Sequence, residues 1–534
     1  MLHATYWKKA AGTAVLIALL SCGTALADSA KPAQPGAVQT PGIRTTRCAQ
    51  TKAAEDKQII EDFLKQFRLL NQIPRPSGHM EKISNFLADW ARKQGLKPVQ
   101  DKKRNVIFDV PATNGKENLP LCILQAHIDM VCAANEGVVF HPMTDPIKVI
   151  HHKADNTLTA DGTSLGADDG AGVAMIMNIV AGKMEHGPLR VIFTVDEETD
   201  MSGVLHIDKK QLEGARYLIN IDSEKSDTVT ISSAAGASVF VKNKVASQKP
   251  AGEQAVVLTL FGLAGGHSGI DIHKGRLNAI RELAGLLKDL PGAGISCETA
   301  EFTGGTASNA IPLQAAALLV IRQNERQALE QMASTRLEAW KKAGAGVEDK
   351  ISLTVKEAPM PSTVIGSRDV DGALTVATGL INGVYTMTYE GLVESSSNLG
   401  MISLSPQGFT ATTYVRSSAD DKLQEILQQQ TNLIKQCGFS STVDYDSDPW
   451  PYKPDSKLRV LTQRVYQELN GESIKVEALH AALECGTFSK LNPSLDIISI
   501  GPDIHNVHSP KETLYLNSIP KTWNLLKGIL ARLE

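Results

Sequence analysis

The chain has 534 residues, of which 42% are hydrophobic and 21% charged, and its net charge is −4. That length exceeds one typical core, so two or more domains are expected, and the ordinary composition excludes a disordered or fibrous chain. A mildly acidic chain without long basic runs is also a poor candidate for nucleic acid, and no such partner is expected.

Residues 1–27 read as an export signal: Lys8 and Lys9 are followed by an apolar stretch from Ala10 to Leu20 and by Ala25-Leu26-Ala27, a small-residue cleavage site. The apolar run falls short of the roughly 20 residues that cross a bilayer, so no membrane span is expected. Leu19-Leu20-Ser21-Cys22 offers a rival cleavage in which Cys22 would carry a lipid anchor. The expectation is an exported protein, periplasmic or secreted, either soluble or a lipoprotein. Residues 28–56, rich in Ala, Pro, Thr and Lys, read as a flexible linker. Besides Cys22 there are six cysteines, Cys48, Cys122, Cys132, Cys297, Cys437 and Cys485. An even number permits disulfides in an oxidising compartment, and buried free thiols are the equal alternative for so sparse a set.

Apolar spacing predicts helices over Gln58 to Leu70 and Ser84 to Gln94, and short apolar runs predict strands over Asn105 to Val110 and Leu121 to Ala126. A helix is expected from Gly170 to Met184, then strands from Leu189 to Val195 and Tyr217 to Ile221. This alternation indicates an α/β sheet. From 233 to 448 the texture changes to Gly-rich turns, β-like runs such as Ala255 to Leu260, and amphipathic helices near Leu277 to Leu290 and Glu325 to Lys342. After Pro449-Trp450-Pro451 the alternation resumes, with a helix from Lys457 to Leu469 and a strand from Leu495 to Ile500. The predicted fold class is α/β with a mixed sheet, built from two segments, 57–232 and 449–534, around an inserted α+β domain at 233–448.

Acids and histidines follow the predicted strands: His127 and Asp129 after LCILQA, Glu197 and Glu198 after LRVIFTVD, Asp222 after YLINI, and His508 beyond LDIISI. Asp168 and Asp169 stand in Gly-Ala-Asp-Asp-Gly before an apolar helix. Taken singly, each also fits a packed histidine or a solvated turn. Together they point to one cleft at the carboxyl ends of the strands. Crowded carboxylates and imidazoles need compensating cations, and this set suits two divalent ions, zinc first, with cobalt or manganese also accepted.

The chain resembles the aminoacyl-histidine dipeptidase branch of the dinuclear zinc aminopeptidase and carboxypeptidase clan over roughly 58–534. The resemblance rests on LQAHIDMVC (Leu124 to Cys132), SLGADDGAGVAM (Ser164 to Met175), FTVDEETDMSG (Phe193 to Gly203), NIDSE (Asn220 to Glu224), GGHSGIDIHKGRLNAI (Gly265 to Ile280), SNAIP (Ser308 to Pro312), HAALECG (His480 to Gly486) and SIGPDIHNVHSP (Ser499 to Pro510). It implies a metallopeptidase catalytic domain with a lid, His127 and Asp222 on one metal, Glu198 and His508 on the other, Asp168 bridging both, and a cis peptide bond between Asp168 and Asp169. It also implies that Asp129 orients His127, that Glu197 is the general base acting on a metal-activated water, and that His267 stabilises the oxyanion. Asn309 and Arg416 match substrate-binding positions, and His480 and Glu484, four apart on an expected helix, are candidates to line the pocket. For His267, Asn309, Arg416 and the His480–Glu484 pair, a turn, a surface ion pair or packing is the alternative. Asp161, Asp169 and Asp200 are further acids that could take a neighbour's role.

The implied reaction is hydrolysis of short peptides, dipeptides in particular, with the Xaa-His type among them; relatives of this kind often form homodimers, and a homodimer is the implied assembly. A related N-acyl amidohydrolase or carboxypeptidase is the alternative enzyme. A non-catalytic peptide-binding protein is the alternative of another class, disfavoured because Glu197 and Asp168 are both present.

Overall fold

The structure, a computed structural model, describes residues 42–388 and 391–534, with side chains from residue 51. The export segment expected over 1–27, Cys22 and the first part of the linker fall outside the described residues. The chain divides into two units, Met1–Ala54 and Glu55–Glu534. The linker expected over 28–56 is corrected from Gly42 onward, where the backbone is helical through to Leu70. The Thr-Lys-Ala-Ala-Glu-Asp-Lys stretch that reads as a polar linker is also rich in good helix formers, and the apolar spacing beyond it carries the helix on.

Eight strands form one mixed sheet in the order Val99–Gln100, Val106–Val110, Leu189–Thr194, Leu121–His127, Ala215–Asn220, Asp496–Ser499, Thr228–Ser233 and Lys475–Leu479. Leu121–His127 runs parallel to both neighbours, whereas the Val99–Gln100 and Val106–Val110 edge is antiparallel. Asp496–Ser499 lies between two strands that precede it by about half the chain, so the sheet is woven from two separated stretches. In the central register Leu124 pairs with Val191 and Ile219. These three face one core with Ile83, Leu87, Val173 and Leu526, while Ile123, Ile192 and Leu218 face a second with Phe488 and Ile497. Side chains alternate along a strand, so a run such as CILQA that is buried on both faces carries apolar residues at both parities.

Between Ala235 and Tyr445 the chain builds a nine-stranded sheet whose pairings are all antiparallel. Val256, Leu258 and Leu260 turn to its one large core, where they meet Leu283 and Leu286 of helix Ala279–Asp289, Leu374 of Ser367–Gly379 and Ile426 of Asp420–Gln436. The fold is therefore α/β, a mixed sheet in two segments with an inserted α+β unit. Among the described residues, no helix is long and apolar enough to cross a membrane. Cys122, Cys132, Cys297, Cys437 and Cys485 are free thiols.

Candidate metal centre

Three neighbouring parallel strands deliver their carboxyl ends to one edge of the sheet. His127 is the last residue of Leu121–His127, Glu197 and Glu198 follow Leu189–Thr194, and Asp222 follows Ala215–Asn220. Asp168 enters at the start of helix Ala167–Asn178, and its peptide bond to Asp169 is cis. Gly172 lets that helix approach the sheet, because a Cβ there would sit 2.4 Å from the Ile221 carbonyl oxygen. His508 arrives from the loop after Asp496–Ser499 with φ of 59°, a left-handed backbone uncommon outside glycine.

The structure brings these side chains together. His127 Nε2 lies 3.0 Å from Asp168 Oδ1 and 3.4 Å from Asp222 Oδ1. His508 Nε2 lies 3.1 Å from Asp168 Oδ2 and 2.7 Å from Glu198 Oε2. Asp168 thus spends one oxygen on each imidazole. His127, Asp168 and Asp222 form one group that could hold a metal ion, and Asp168, Glu198 and His508 form another; a third overlapping group joins His127 to Glu197 and Glu198. Asp129 stands on the far side of His127, its Oδ1 3.4 Å from Nδ1, a contact without hydrogen-bond alignment. Its oxygens also accept from the amides of Glu197 (3.1 Å) and Glu198 (3.2 Å) and from Ser77 Oγ (2.7 Å). One buried carboxylate therefore ties the His127 ring to the backbone of the Glu197–Glu198 turn.

The electrostatics show what the cluster lacks. Burial pushes Glu197 well above its usual range; His127 opposes this, and Asp222, Glu198 and Glu484 add to it. Burial likewise lifts Asp222 to about 6 against the pull of His127. Glu224, unnoticed in the sequence although it ends NIDSE, is raised to about 7 by burial and by Asp168 and Asp222. Burial works against a charge on His127, but Asp222, Asp129 and Asp168 outweigh it and raise this imidazole well above its ordinary value. Hydrogen bonds to Asp168 and Glu198 raise His508 to about 11. The carboxylates are thus short of positive charge, and in the chain alone protons on the imidazoles supply it. Glu198 Oε1 is buried with no hydrogen-bond partner. A mixed set of imidazole nitrogens and carboxylate oxygens, one oxygen unsatisfied and the whole deficient in positive charge, fits divalent cations.

The other predicted residues form a second group. His267 Nδ1 accepts from the amides of Gly269 and Ile270, both at 3.2 Å, which assigns the ring proton to Nε2. Burial and then Arg416 lower the His267 pKa, so the ring is neutral. Nε2 faces Arg416 Nη2 at 3.4 Å. Two donors therefore converge without an acceptor between them, and the buried Arg416 Nε also has none. Arg416 stacks over Tyr414, 4.4 Å from the ring centroid. Asn309 is exposed, and its carbonyl accepts from the Ser268 amide at 2.8 Å. Among the described residues, no hydrogen bond or ion pair joins this group to the one around Asp168.

His480 and Glu484 do not share a helix, which corrects the sequence expectation. His480 follows strand Lys475–Leu479 and Glu484 precedes helix Cys485–Leu491. His480 Nε2 pairs with Ser396 Oγ at 2.7 Å, and burial, followed by Arg416, lowers its pKa to about 3. Glu484 is fully buried, and its Oε2 accepts from Gln125 Nε2 (2.5 Å) and Thr194 Oγ1 (2.6 Å), so it lies beneath the strand ends rather than on an open pocket wall. Asp169 accepts from the Gly172 amide at 3.0 Å with one oxygen and from the His127 amide at 3.3 Å with the other, so it braces the backbone of the cluster, whereas Asp200 accepts from Ser202 N at 2.9 Å within a local turn.

Burial raises Glu484 to about 8, opposed by the Thr194 hydrogen bond and His127. A carboxyl whose folded pKa exceeds its ordinary 4.5 stabilises the fold fully below pH 4.5, and that contribution is lost as pH rises towards about 8. The metal-free protein is thus expected to lose denaturant resistance across that window, and Glu484→Gln to flatten the loss. Chemical denaturation at a series of pH values reads this; an unchanged slope in the variant would remove Glu484 from the account.

The model of peptidase family M20/M25/M40 matches residues 123–532. The chain is 32% identical to the cytosol non-specific dipeptidase of Escherichia coli (strain K12) over 473 residues, covering 87% of this chain and 96% of that protein. Its fold is similar to that of aminoacylhistidine dipeptidase from Vibrio alginolyticus, with a TM-score of 0.83, 30% identity, and coverage of 89% of this chain and 96% of that one. Aminopeptidase PepT from Bacillus cereus ATCC 10987 shares the fold at a TM-score of 0.50 and 15% identity, over 88% of this chain and 98% of that one. The expectation of an exported, periplasmic or lipid-anchored protein is corrected here, because a relative matching nearly its whole length carries the name of a cytosol enzyme. A short basic and apolar N-terminal stretch is a weak signal beside a match of that extent. The extent of the family match and of these two alignments leaves one assignment: the chain belongs to peptidase family M20/M25/M40.

Proposed function

We propose that this chain hydrolyses dipeptides with two divalent ions held by His127, Asp168, Glu198, Asp222 and His508. The observation that carries the reading is the position of Asp168, with one oxygen on His127 and the other on His508, each imidazole also meeting a second acid. His127 and Asp222 serve one ion, Glu198 and His508 the other, and Asp168 both. Zinc suits this donor set first, and cobalt or manganese would also be accepted. Such ions, when bound, make water a nucleophile near neutral pH and polarise the scissile carbonyl.

Glu197 takes the proton from the attacking water and returns it to the leaving nitrogen; its carboxylate stands in one group with the His127 ring and the Glu198 carboxylate, beside where the ions would sit. Asp129 orients the His127 ring and holds the Glu197–Glu198 turn through both amides. His267 offers its Nε2–H to the oxyanion, and Arg416 takes the substrate carboxylate, which supplies the acceptor their converging donors lack. Asn309 lies beside them. If the inserted unit closes over the ions to bring this group onto the substrate, a hinge movement accompanies turnover. The domain division at 232/233 and 448/449 is part of the same reading, supported by the break between the two main cores.

Amino-acid release from a panel of dipeptides, N-acyl amino acids and longer peptides tests the reading. Dipeptides, with Xaa-His among them, are expected to be preferred; preference for N-acyl amino acids or for trimming longer peptides would replace it with the amidohydrolase or carboxypeptidase alternative. In the same assay Arg416→Ala should raise KM for dipeptides about tenfold or more, since hydrogen bonds to a charged group contribute about 1.5–3 kcal/mol. An unchanged KM would remove Arg416 from the substrate site.

A further inference from the structure

Glu512 lies four residues beyond His508 and is 2% exposed. Its Oε2 accepts from the amides of Leu165 (2.7 Å) and Gly166 (2.9 Å), and its Oε1 from those of Ala167 (2.7 Å) and Asp168 (3.2 Å). Four consecutive backbone donors converge on one carboxylate, and the last belongs to Asp168 itself. From the other side the buried Arg75 donates to the Gly166 carbonyl and, at 3.1 Å, to that of Asp129. Glu512 thus grips the loop by its N–H groups while Arg75 grips it by a carbonyl. The fit leaves no slack: Gly166 has φ of 69°, and a Cβ there would meet Arg75 Nη2 at 2.5 Å.

The segment that carries His508 therefore touches the Asp168 loop twice, once from the imidazole to Asp168 Oδ2 and once through Glu512. Separately anchored loops would leave the distance between these two side chains to chance. We infer that Glu512 is a positioning residue for the metal centre, its carboxylate seated on the amides of Leu165–Asp168 so that Asp168 is fixed relative to His508. This rests on the reading of Asp168 and His508 as metal ligands. Glutamine at this place keeps the size but presents an NH2 group to two of the four donors, so the seat is half lost. Aspartate keeps the charge on a shorter arm.

The test is metal affinity of the chelator-stripped protein, measured by zinc competition with a chromogenic chelator, beside the thermal midpoint of the same stripped protein. Glu512→Gln is expected to bind zinc about 10–100-fold more weakly, as outer partners of metal ligands commonly do when altered. Glu512→Asp should recover part of that loss. Wild-type affinity in folded Glu512→Gln, with only a lowered midpoint in the stripped protein, would reduce Glu512 to a stabilising contact and overturn the inference. If Glu512→Gln does not fold, Glu512→Asp decides: weaker binding upholds the inference and unchanged binding overturns it. Failure of the wild-type protein itself to bind zinc would instead sink the ligand assignment, and this inference with it.

Discussion

Glu197→Gln is expected to lower kcat for dipeptides by about 10²–10⁴-fold, the range that a positioned general base contributes. The amide is nearly isosteric and can neither take nor return the proton. KM and metal content should stay close to wild type, because Glu197 is proposed as the base and the ions are assigned to five other side chains. Loss of kcat with unchanged KM is the signature of a group acting in the transition state. Retained turnover with normal metal content would show that another acid is the base, and Glu224, near Asp168 and Asp222, would be the next to replace.

Asp168→Asn is expected to damage both halves of the centre at once. The carboxylate meets His127 with one oxygen and His508 with the other. An amide offers one oxygen and one NH2 group, so it can serve a single ion at most. The variant should hold at most one ion tightly per chain, and dipeptide hydrolysis should fall by more than the about 10–100-fold seen when an outer partner is altered. The comparison with Asp222→Asn is informative, since Asp222 is assigned to one ion alone and that variant should retain the other. Elemental analysis after gel filtration gives the count; two ions retained in Asp168→Asn would exclude it as the shared ligand.

The alternation of apolar runs made five of the eight strands legible, LCILQA and LRVIFT most clearly because they are buried on both faces and leave a continuous signal, whereas Val99–Gln100, Thr228–Ser233 and Lys475–Leu479 carry no comparable run and were missed. The acids and histidines at strand ends were legible for the same reason, since sheet geometry converts a sequence position just past a strand into a place in the cleft. The helix from Gly42 was hidden by its polar composition, which a linker shares. The four-residue spacing of His480 and Glu484 imitated one helical turn, yet Ser396 holds the first and Gln125 and Thr194 hold the second on either side of an irregular connection. Glu512 was invisible for another reason: its partners are backbone amides, which every sequence possesses, and only the folded loop shows that four of them point one way.

All of this depends on cations drawing on one shared carboxylate. The most direct measurement strips the protein exhaustively with a chelator and follows amino-acid release from a dipeptide as zinc is added back in known equivalents. The expected record starts at no activity, rises, and saturates at two ions per chain. Full activity in the stripped protein, or a plateau that zinc never changes, would contradict it.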